Sequence, residues 1–228
     1  MKFIVIEGLD GSGKSTQLKK LRAYFSENNV NYEYLHFPRT DSPVYGDLIS
    51  RFLRGELGDI NTVNPYLIAL IYAGDRNDAK AMIKQWIDSD KLVVVDRYVY
   101  SNIAFQCAKL DKSEEIEKLT EWILDLEYNY FKIPKPNLSI FLNVPFEFTK
   151  KNLTNQRQGD DRDYLQGKDD IHEKDIDFQD KVRNVYLREV KKDKNLKIIN
   201  CTNKKGEIET SDEIFSKILK LLKSENIL

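Results

Sequence analysis

The chain has 228 residues and is almost neutral, with 36 lysines and arginines against 37 aspartates and glutamates. This length is within the range of one α/β domain with a substantial core, and the charge balance gives no support for a nucleic-acid or membrane-surface partner. The two cysteines, Cys107 and Cys201, are far apart, which favours a reducing cytosol over a disulfide framework. No uncharged run approaches the roughly 20 residues that span a bilayer. The predicted first strand begins at the N-terminus, so we expect no cleavable signal and a cytoplasmic protein.

Apolar runs that alternate with helical patterns predict strands separated by helices. The predicted strands cover residues 3–6, 32–37, 91–95, 138–144 and 196–200. Helical spacing follows the first strand and then marks residues 42–57, a long segment from Pro65, residues 101–110 and 114–131, and a last helix opened by Asp212. This pattern predicts an α/β fold, a doubly wound five-stranded parallel sheet flanked by helices, in a single domain over residues 1–228.

Residues 146–190 mix helical spacing with a polar middle that lacks a continuous apolar face. The polarity of Gln156–Arg162, together with Gly159, suits a mobile lid over residues 152–174 that closes on a bound ligand. A solvated polar loop explains the same stretch equally well.

The segment Gly8-Leu9-Asp10-Gly11-Ser12-Gly13-Lys14-Ser15-Thr16 fits the phosphate-binding pattern G-x-x-x-x-G-K-[ST]. It lies between a predicted buried strand and a predicted helix, which is the context that this motif requires. Its glycines allow the backbone N–H groups to turn inward, and the helix start adds a positive dipole end. Lys14 is expected to reach the β- and γ-phosphates, and the Ser15 hydroxyl is expected to bind Mg²⁺. The chain is therefore predicted to bind a nucleoside triphosphate.

The segment Asp96-Arg97-Tyr98 follows the third predicted strand, at the strand end where open α/β sheets bind ligands. An aspartate there can hold Mg²⁺ or its waters, and an arginine can bind phosphate oxygens with both terminal nitrogens. An ordinary surface pair of opposite charges is the simpler explanation. The position of this segment, in a protein with a phosphate loop, favours a role in binding Mg²⁺ and phosphate over a surface ion pair.

The order of several segments resembles that of thymidylate kinases. These segments are Gly8–Thr16, Phe37-Pro38-Arg39, Arg76, Asp96–Gln106 and Pro134–Pro145. The resemblance covers most of the chain, and the pattern D-R-Y-x-x-S-x-x-A that begins at Asp96 is its most specific part. It implies transfer of the ATP γ-phosphoryl group to dTMP, giving dTDP, with Mg²⁺ and in a homodimer.

The resemblance also implies roles for individual residues. Asp10 is expected near the sugar 3′-hydroxyl and the Mg²⁺, and Arg39 and Arg97 are expected to hold the acceptor phosphate. Arg76 is expected to donate to the thymine O4, which rejects cytosine because the cytosine amino group is itself a donor. The remaining expected contacts are a thymine-stacking Tyr72, the base-edge residues Ser101 and Asn102, Phe105 under the deoxyribose, and Phe37 as an apolar wall. Taken alone, the three aromatic side chains are typical of core packing.

Gly11 stands where some thymidylate kinases carry an arginine, so the resemblance implies that another cation stabilises the transferred phosphoryl group. Arg157 and Arg162 in the predicted lid are the nearest candidates, and the sequence does not choose between them. Glu173 is similar to an acidic residue that some relatives place near the metal. Solvent-exposed helix positions explain Glu173 and its neighbour His172 equally well.

Two other functions fit parts of the sequence. A kinase for another nucleotide, or a deoxynucleoside kinase, would share the phosphate loop. Deoxynucleoside kinases, however, usually carry Glu-Arg-Ser where this chain has Asp96-Arg97-Tyr98. A GTP-binding switch protein would need an Asn-Lys-x-Asp motif, and Asn203-Lys204-Lys205-Gly206 lacks the carboxylate. The sequence therefore favours a dTMP kinase.

Overall fold

The fold is built on one parallel sheet. The computed structural model describes residues 2–60, 62–154, 160–168, 170–174 and 176–228. Within these residues the strands are β1 (Lys2–Gly8), β2 (Tyr32–His36), β3 (Leu92–Asp96), β4 (Leu138–Asn143) and β5 (Leu196–Asn200). They pair in the order β2-β3-β1-β4-β5, and every pair is parallel.

Helices connect the strands and cover both faces of the sheet. They are α1 (Lys14–Glu27), α2 (Tyr45–Leu53), α3 (Pro65–Asp88), α4 (Val99–Cys107), α5 (Ser113–Leu124), α6 (Phe146–Thr154), α7 (Ile171–Lys174), α8 (Ile176–Val190) and α9 (Ser211–Ser224). A π-helix over Asp125–Tyr130 continues α5, and a 3-10 helix covers Asp160–Leu165. The predicted α/β fold with a doubly wound, five-stranded parallel sheet is confirmed.

The side chains of β1 supply two hydrophobic cores because successive strand residues point to opposite faces. Ile4 and Ile6 pack with α1 and α9 on one face, whereas Phe3 and Val5 pack with α3, α4 and α8 on the other. The next residue on the second face is Glu7, which is 0% exposed. A carboxylate therefore lies in the core immediately before the phosphate loop.

Three predicted helices have different bounds in the structure. The predicted helix 101–110 is α4, which begins at Val99 and ends at Cys107. The predicted helix 42–57 is shortened to α2, because Gly55 takes a φ of 76° and turns the chain after the helix. The predicted helix 114–131 begins as α5 but changes to π-helical hydrogen bonding for its last turns. Glu127, within those turns, is fully buried and forms an ion pair with Arg76.

The strand order brings two segments of the chain together. β1 and β3 are neighbours, and Ile6 of β1 is level with Asp96 of β3. The phosphate loop after β1 and the Asp96-Arg97-Tyr98 segment after β3 therefore meet at the carboxyl edge of the sheet, where open α/β sheets bind ligands. Within the described residues, no helix combines the length and the apolar character needed to cross a bilayer.

Candidate active site

A cavity of about 900 Å³ opens at this edge of the sheet. The phosphate loop, the ends of β2 and β3, and helices α3, α4 and α7 contribute to its wall. The predicted site residues that line it are Asp10, Lys14, Ser15, Phe37, Tyr72, Arg76, Asp96, Arg97, Ser101, Asn102 and Phe105. Most of the predicted binding residues, which are distant in sequence, therefore share one cavity.

The phosphate loop contains glycines in the left-handed region of backbone space. Gly11 and Gly13 have φ angles of 72° and 83°, which residues with side chains rarely adopt. Lys14 is buried, and its Nζ donates to the carbonyls of Gly8 at 3.3 Å and Leu9 at 2.9 Å. The ammonium group is therefore kept at the loop, where the lysine of this motif reaches phosphate oxygens.

Arg97 joins the phosphate loop to α4. Its Nη2 donates to the Asp10 carboxylate at 2.7 Å, and its Nη1 donates to the Ser101 hydroxyl at 3.1 Å. The guanidinium also lies over the Phe105 ring, 5.1 Å from its centroid. Burial alone lowers the pKa of Arg97, but the nearby acidic groups raise it above its ordinary value. A permanent positive charge is therefore fixed beside the loop.

Glu7 supports this arginine indirectly. Its Oε2 accepts hydrogen bonds from the hydroxyls of Ser101 at 2.5 Å and Tyr186 at 2.8 Å, and its Oε1 accepts from the Tyr98 backbone N–H at 3.0 Å. Burial raises the pKa of Glu7 above its ordinary value, and the hydrogen bonds from the two hydroxyl groups oppose that rise. The Ser101 hydroxyl, predicted at the base edge, is thus already engaged by Glu7 and Arg97.

Asp96 has an oxygen suited to a metal ion. Its Oδ2 is 3.1 Å from the His36 Nδ1, whereas its buried Oδ1 has no hydrogen-bond partner among the described residues. Burial alone raises the pKa of Asp96, but the His36 hydrogen bond and the charges of Lys14 and Arg97 bring it below the ordinary value. An ionised carboxylate with a spare oxygen, in the same cavity wall as Ser15, fits Mg²⁺, which usually takes one or two protein carboxylates plus phosphates and waters. No cluster of three or more acidic, histidine or cysteine side chains suited to a metal occurs in the described part of the chain.

Arg76 and Asn102 present complementary hydrogen-bonding atoms. Arg76 is 2% exposed and forms a bidentate ion pair with Glu127, through Nε at 2.5 Å and Nη2 at 2.7 Å, which leaves its Nη1 outside that pair. Asn102 donates its Nδ2 to the Ala69 carbonyl and to the Glu127 Oε1, each at 3.0 Å. The Asn102 Oδ1 is buried and has no partner in the described residues. Both side chains therefore bond to Glu127 and line the same cavity, and neither the Arg76 Nη1 nor the Asn102 Oδ1 takes part in these bonds.

The three predicted aromatic contacts also line the cavity. Phe37 is 1% exposed and packs against the Tyr98 ring at 5.8 Å. Tyr72 is half-buried on α3. Phe105 contacts the His172 ring at 4.9 Å. Phe37 and Phe105 thus belong to the core and to the cavity wall at once.

Arg39 is not among the described residues that line the cavity. Its Nε donates to the Asp75 carboxylate at 2.8 Å, and its Nη2 donates to Asp78 at 2.6 Å. Its backbone N–H also donates to Asp75, at 2.9 Å. The guanidinium would have to leave these carboxylates to hold a phosphate, so that role stays a prediction.

The end of the predicted lid closes one side of the cavity. Asp170 and His172 are 6% and 5% exposed and both line it, which excludes a solvent-exposed position for His172. The Gln179 Nε2 donates to the His172 carbonyl at 2.9 Å and to the Asp10 carboxylate at 3.1 Å. This buried amide of α8 ties the lid end to the phosphate loop.

The structure does not choose between the two candidate arginines of the lid, Arg157 and Arg162. Arg157 lies outside the residues that the structure describes. Arg162 lies in the 3-10 helix, and its side chain is outside the described part of the chain. The choice between them therefore stays open.

The sequence analysis did not predict three of these buried side chains, those of Glu7, Glu127 and Gln179. Glu7 carried a signal, because alternation along β1 places it on the same face as two core residues. Glu127 and Gln179 carried none, since each stands in a polar helical segment and only packing shows that it points inward.

Comparison with known proteins decides the family. The profile described as thymidylate kinase matches residues 6–211. The chain belongs to the thymidylate kinase family. It is 32% identical over 184 residues to the thymidylate kinase of Mycobacterium tuberculosis, an alignment that covers 81% of this chain and 83% of that protein. It is 30% identical over 226 residues to the probable thymidylate kinase of Pyrococcus horikoshii, covering 98% and 96%.

A solved thymidylate kinase structure from Candida albicans, described as having broad substrate specificity, is also similar. It superposes with a TM-score of 0.74 at 25% identity, covering 99% of this chain and 92% of that one. Membership of the thymidylate kinase family makes the chain an ATP-dependent dTMP kinase, a phosphotransferase. The predicted activity is confirmed, and the deoxynucleoside kinase and the GTP-binding switch are not favoured.

Proposed function

We propose that this dTMP kinase holds the thymine base against Arg76 and Asn102, with the acceptor phosphate at Arg97. The fixed orientation of the Asn102 amide carries the proposal. Its Nδ2 already donates to two oxygens, so the atom left for a ligand is an acceptor. Thymine offers an N3–H donor and an O4 acceptor, which match the Asn102 Oδ1 and the Arg76 Nη1. Cytosine offers the reverse pattern and leaves both protein atoms unpaired.

The donor and acceptor phosphates meet between the loop and Arg97. The phosphate of dTMP is already an oxyanion at neutral pH, so no general base is required. Lys14 and the backbone N–H groups of Gly8–Thr16 hold the donor phosphates, and Arg97 holds the acceptor. These groups act by positioning and charge stabilisation rather than covalent chemistry. Asp10 orients the Arg97 guanidinium through their 2.7 Å hydrogen bond.

Ser15 and Asp96 are the residues that we assign to Mg²⁺. The spare, buried Oδ1 of Asp96 supports this assignment. When bound, the ion neutralises charge on the β- and γ-phosphates of ATP. Asp10 is the weaker candidate as a direct ligand, since its two carboxylate oxygens accept from Arg97 at 2.7 Å and from Gln179 at 3.1 Å.

A lid arginine, Arg157 or Arg162, is proposed to stabilise the transferred phosphoryl group. The conformation of Gly11 supports a source outside the loop. Its φ of 72° strains any residue with a side chain, and a Cβ there would lie 3.3 Å from the Thr149 carbonyl and from the Asn152 side chain. The arginine that some relatives carry at this position would therefore be strained in this loop.

A homodimer in the cytosol is also proposed. The resemblance to the family implies the dimer, and the outer surface of α3 exposes Leu67 at 60% and Leu70 at 42%. Cys107 and Cys201 are free and buried thiols, which suits a reducing compartment.

An ADP-release assay over a panel of nucleoside monophosphates tests the base-binding assignment. The wild type should prefer dTMP to dCMP by at least about 100-fold in kcat/KM. Asn102→Ala should raise the KM for dTMP by about tenfold, because one hydrogen bond to the base is lost. The exposed Asn129→Ala serves as the matched control and should change neither value. An Asn102→Ala enzyme with the wild-type KM would contradict the assignment.

A further inference from the structure

His172 is a buried histidine in the wall of the substrate cavity, and the mechanism above gives it no role. Its ring is in contact with three aromatic rings, those of Phe52 at 5.5 Å, Phe105 at 4.9 Å and Phe178 at 5.6 Å. The side chain is 5% exposed. Its Nε2 is buried and has no hydrogen-bond partner among the described residues.

The chemistry of the ring defines what it can bind. Burial lowers the pKa of His172 to about 3, with a further contribution from the nearby Lys109 charge, so the imidazole is neutral at physiological pH. A neutral imidazole carries one N–H donor and one acceptor nitrogen. The three surrounding aromatic rings supply no hydrogen-bond partner for either nitrogen. A polar group of the ligand is therefore the natural partner. The charge of a phosphate does not match a neutral ring, so a hydroxyl group fits better.

The neighbours of His172 place it at the sugar. Arg97, the proposed phosphate ligand, lies over the Phe105 ring, and Asn102, a proposed base ligand, stands three residues before Phe105 on α4. The sugar of a nucleotide lies between its phosphate and its base, and Phe105 therefore faces the sugar. His172 touches Phe105 and lines the same cavity.

The Asp10 carboxylate lines the same cavity from the phosphate loop. The Gln179 Nε2 bonds to both the His172 carbonyl at 2.9 Å and the Asp10 Oδ2 at 3.1 Å, so the two residues flank one amide group. A hydroxyl group between them can accept a hydrogen bond from the imidazole and donate one to the carboxylate. Deoxythymidine monophosphate has a single free sugar hydroxyl, at the 3′ position.

We propose that His172 donates a hydrogen bond to the 3′-oxygen of dTMP, opposite Asp10, and thereby makes this enzyme select acceptors that carry a 3′-hydroxyl. This inference rests on the proposed placement of dTMP in the cavity. It makes His172 a specificity-determining residue contributed by the end of the lid.

Calorimetric titration with dTMP and with its 3′-deoxy analogue tests the contact without relying on turnover. The wild type should bind dTMP about tenfold more tightly than the analogue. His172→Phe keeps the aromatic packing and removes both nitrogens, so it should lose about tenfold in dTMP affinity while the analogue binds as before. His172→Gln retains an N–H donor and should restore part of the preference. Phe52→Leu disturbs the same aromatic packing without removing a polar atom and should leave the ratio of the two affinities unchanged.

The outcomes separate the inference from the function on which it rests. If His172→Phe leaves the ratio of the dTMP and analogue affinities at its wild-type value, the histidine makes no contact with the hydroxyl. The proposal is then overturned, whether or not both affinities fall. If the wild type binds dTMP tightly but does not distinguish the analogue, the proposal is overturned as well. Failure of the wild type to bind dTMP in a way that Asn102→Ala weakens would instead overturn the proposed placement of the nucleotide.

Discussion

Two guanidinium groups in this site are each held by a buried or partly buried carboxylate. Arg76 is paired with Glu127, and Arg97 is paired with Asp10. A buried ion pair contributes little net stability, but removing one partner leaves an uncompensated charge and costs about 3–5 kcal/mol. These pairs fix the direction of the remaining N–H groups, which we assign to the bound nucleotide. At the scale of single residues, the proposed substrate recognition therefore depends on the same contacts as stability.

Glu127→Gln should lower both the stability of the fold and the affinity for dTMP. The amide keeps one hydrogen-bond acceptor but removes the negative charge, so we expect a loss of roughly 3 kcal/mol in the free energy of unfolding, measured in urea. The KM for dTMP should rise because the Arg76 guanidinium is no longer fixed. Glu121→Gln, at an exposed position of α5, is the control and should stay within about 0.5 kcal/mol. Equal stabilities of the two variants would exclude a structural role for the Glu127 charge.

The buried carboxyl group of Asp170 should make the stability of the protein depend on pH. Burial raises its pKa from 3.8 to about 7, with a further contribution from Asp10. Between those two pH values the unfolded chain has released the proton while the folded protein still holds it, so this group makes stability fall as the pH rises from about 4 to 7. Asp170→Asn cannot ionise, and it can still accept from the His172 N–H. We expect it to stabilise the protein by roughly 2–4 kcal/mol at pH 8 and by much less at pH 4. Urea unfolding at both pH values measures this, and an equal effect at both would rule out the raised pKa.

At the scale of elements, close helix packing positions the residues of α3. Gly74 of α3 faces Tyr45 of α2, and a Cβ atom at Gly74 would lie 2.1 Å from the Tyr45 ring. The contact leaves no room for any side chain at this position. Gly74 lies two residues before Arg76, so a shift of α3 relative to α2 would also move the wall that we assign to the base.

Gly74→Ala should therefore destabilise the protein even though alanine favours helices. We expect a loss of about 1–3 kcal/mol from overpacking, seen as a lower midpoint in urea. The double variant Gly74→Ala with Tyr45→Ala removes the clash. It should be no less stable than Tyr45→Ala alone, and an additive loss in the double variant would show that the contact is not the cause.

At the scale of the whole molecule, sheet order and helix surfaces have separate consequences. The neighbouring positions of β1 and β3 assemble the site inside one chain, since the phosphate loop and Asp96 follow adjacent strands. The exposed apolar side chains of α3, by contrast, lie outside that site. They are the surface that we assign to the second copy of the chain.

Leu67→Glu should weaken this association. A charge in the centre of an apolar interface is desolvated without a partner, so, if the proposed dimer uses this face, the wild type should sediment as a dimer and the variant as a monomer at the same concentration. Lys223→Glu changes the charge on α9, at the opposite face of the sheet, and is the matched control. Identical sedimentation of Leu67→Glu and wild type would contradict an interface at α3.

The sequence by itself determined the strands, the order of the helices, the phosphate loop and the resemblance that led to the family. These features are local, because strand and helix periods, glycines in a turn and a short catalytic motif are all read from adjacent residues. Position after the third strand predicted Asp96 and Arg97 at the site, and the family resemblance predicted Arg76 and Asn102; all four line the cavity.

Only the tertiary structure decided which other polar side chains turn inward. Glu7 meets Tyr186 across 179 positions of sequence, and Gln179 meets Asp10 across 169. The same packing engages the Ser101 hydroxyl and buries His172, a position that the sequence left open to solvent. A polar residue in a helix has no local signature of burial, because its environment is created by elements that are distant in the chain.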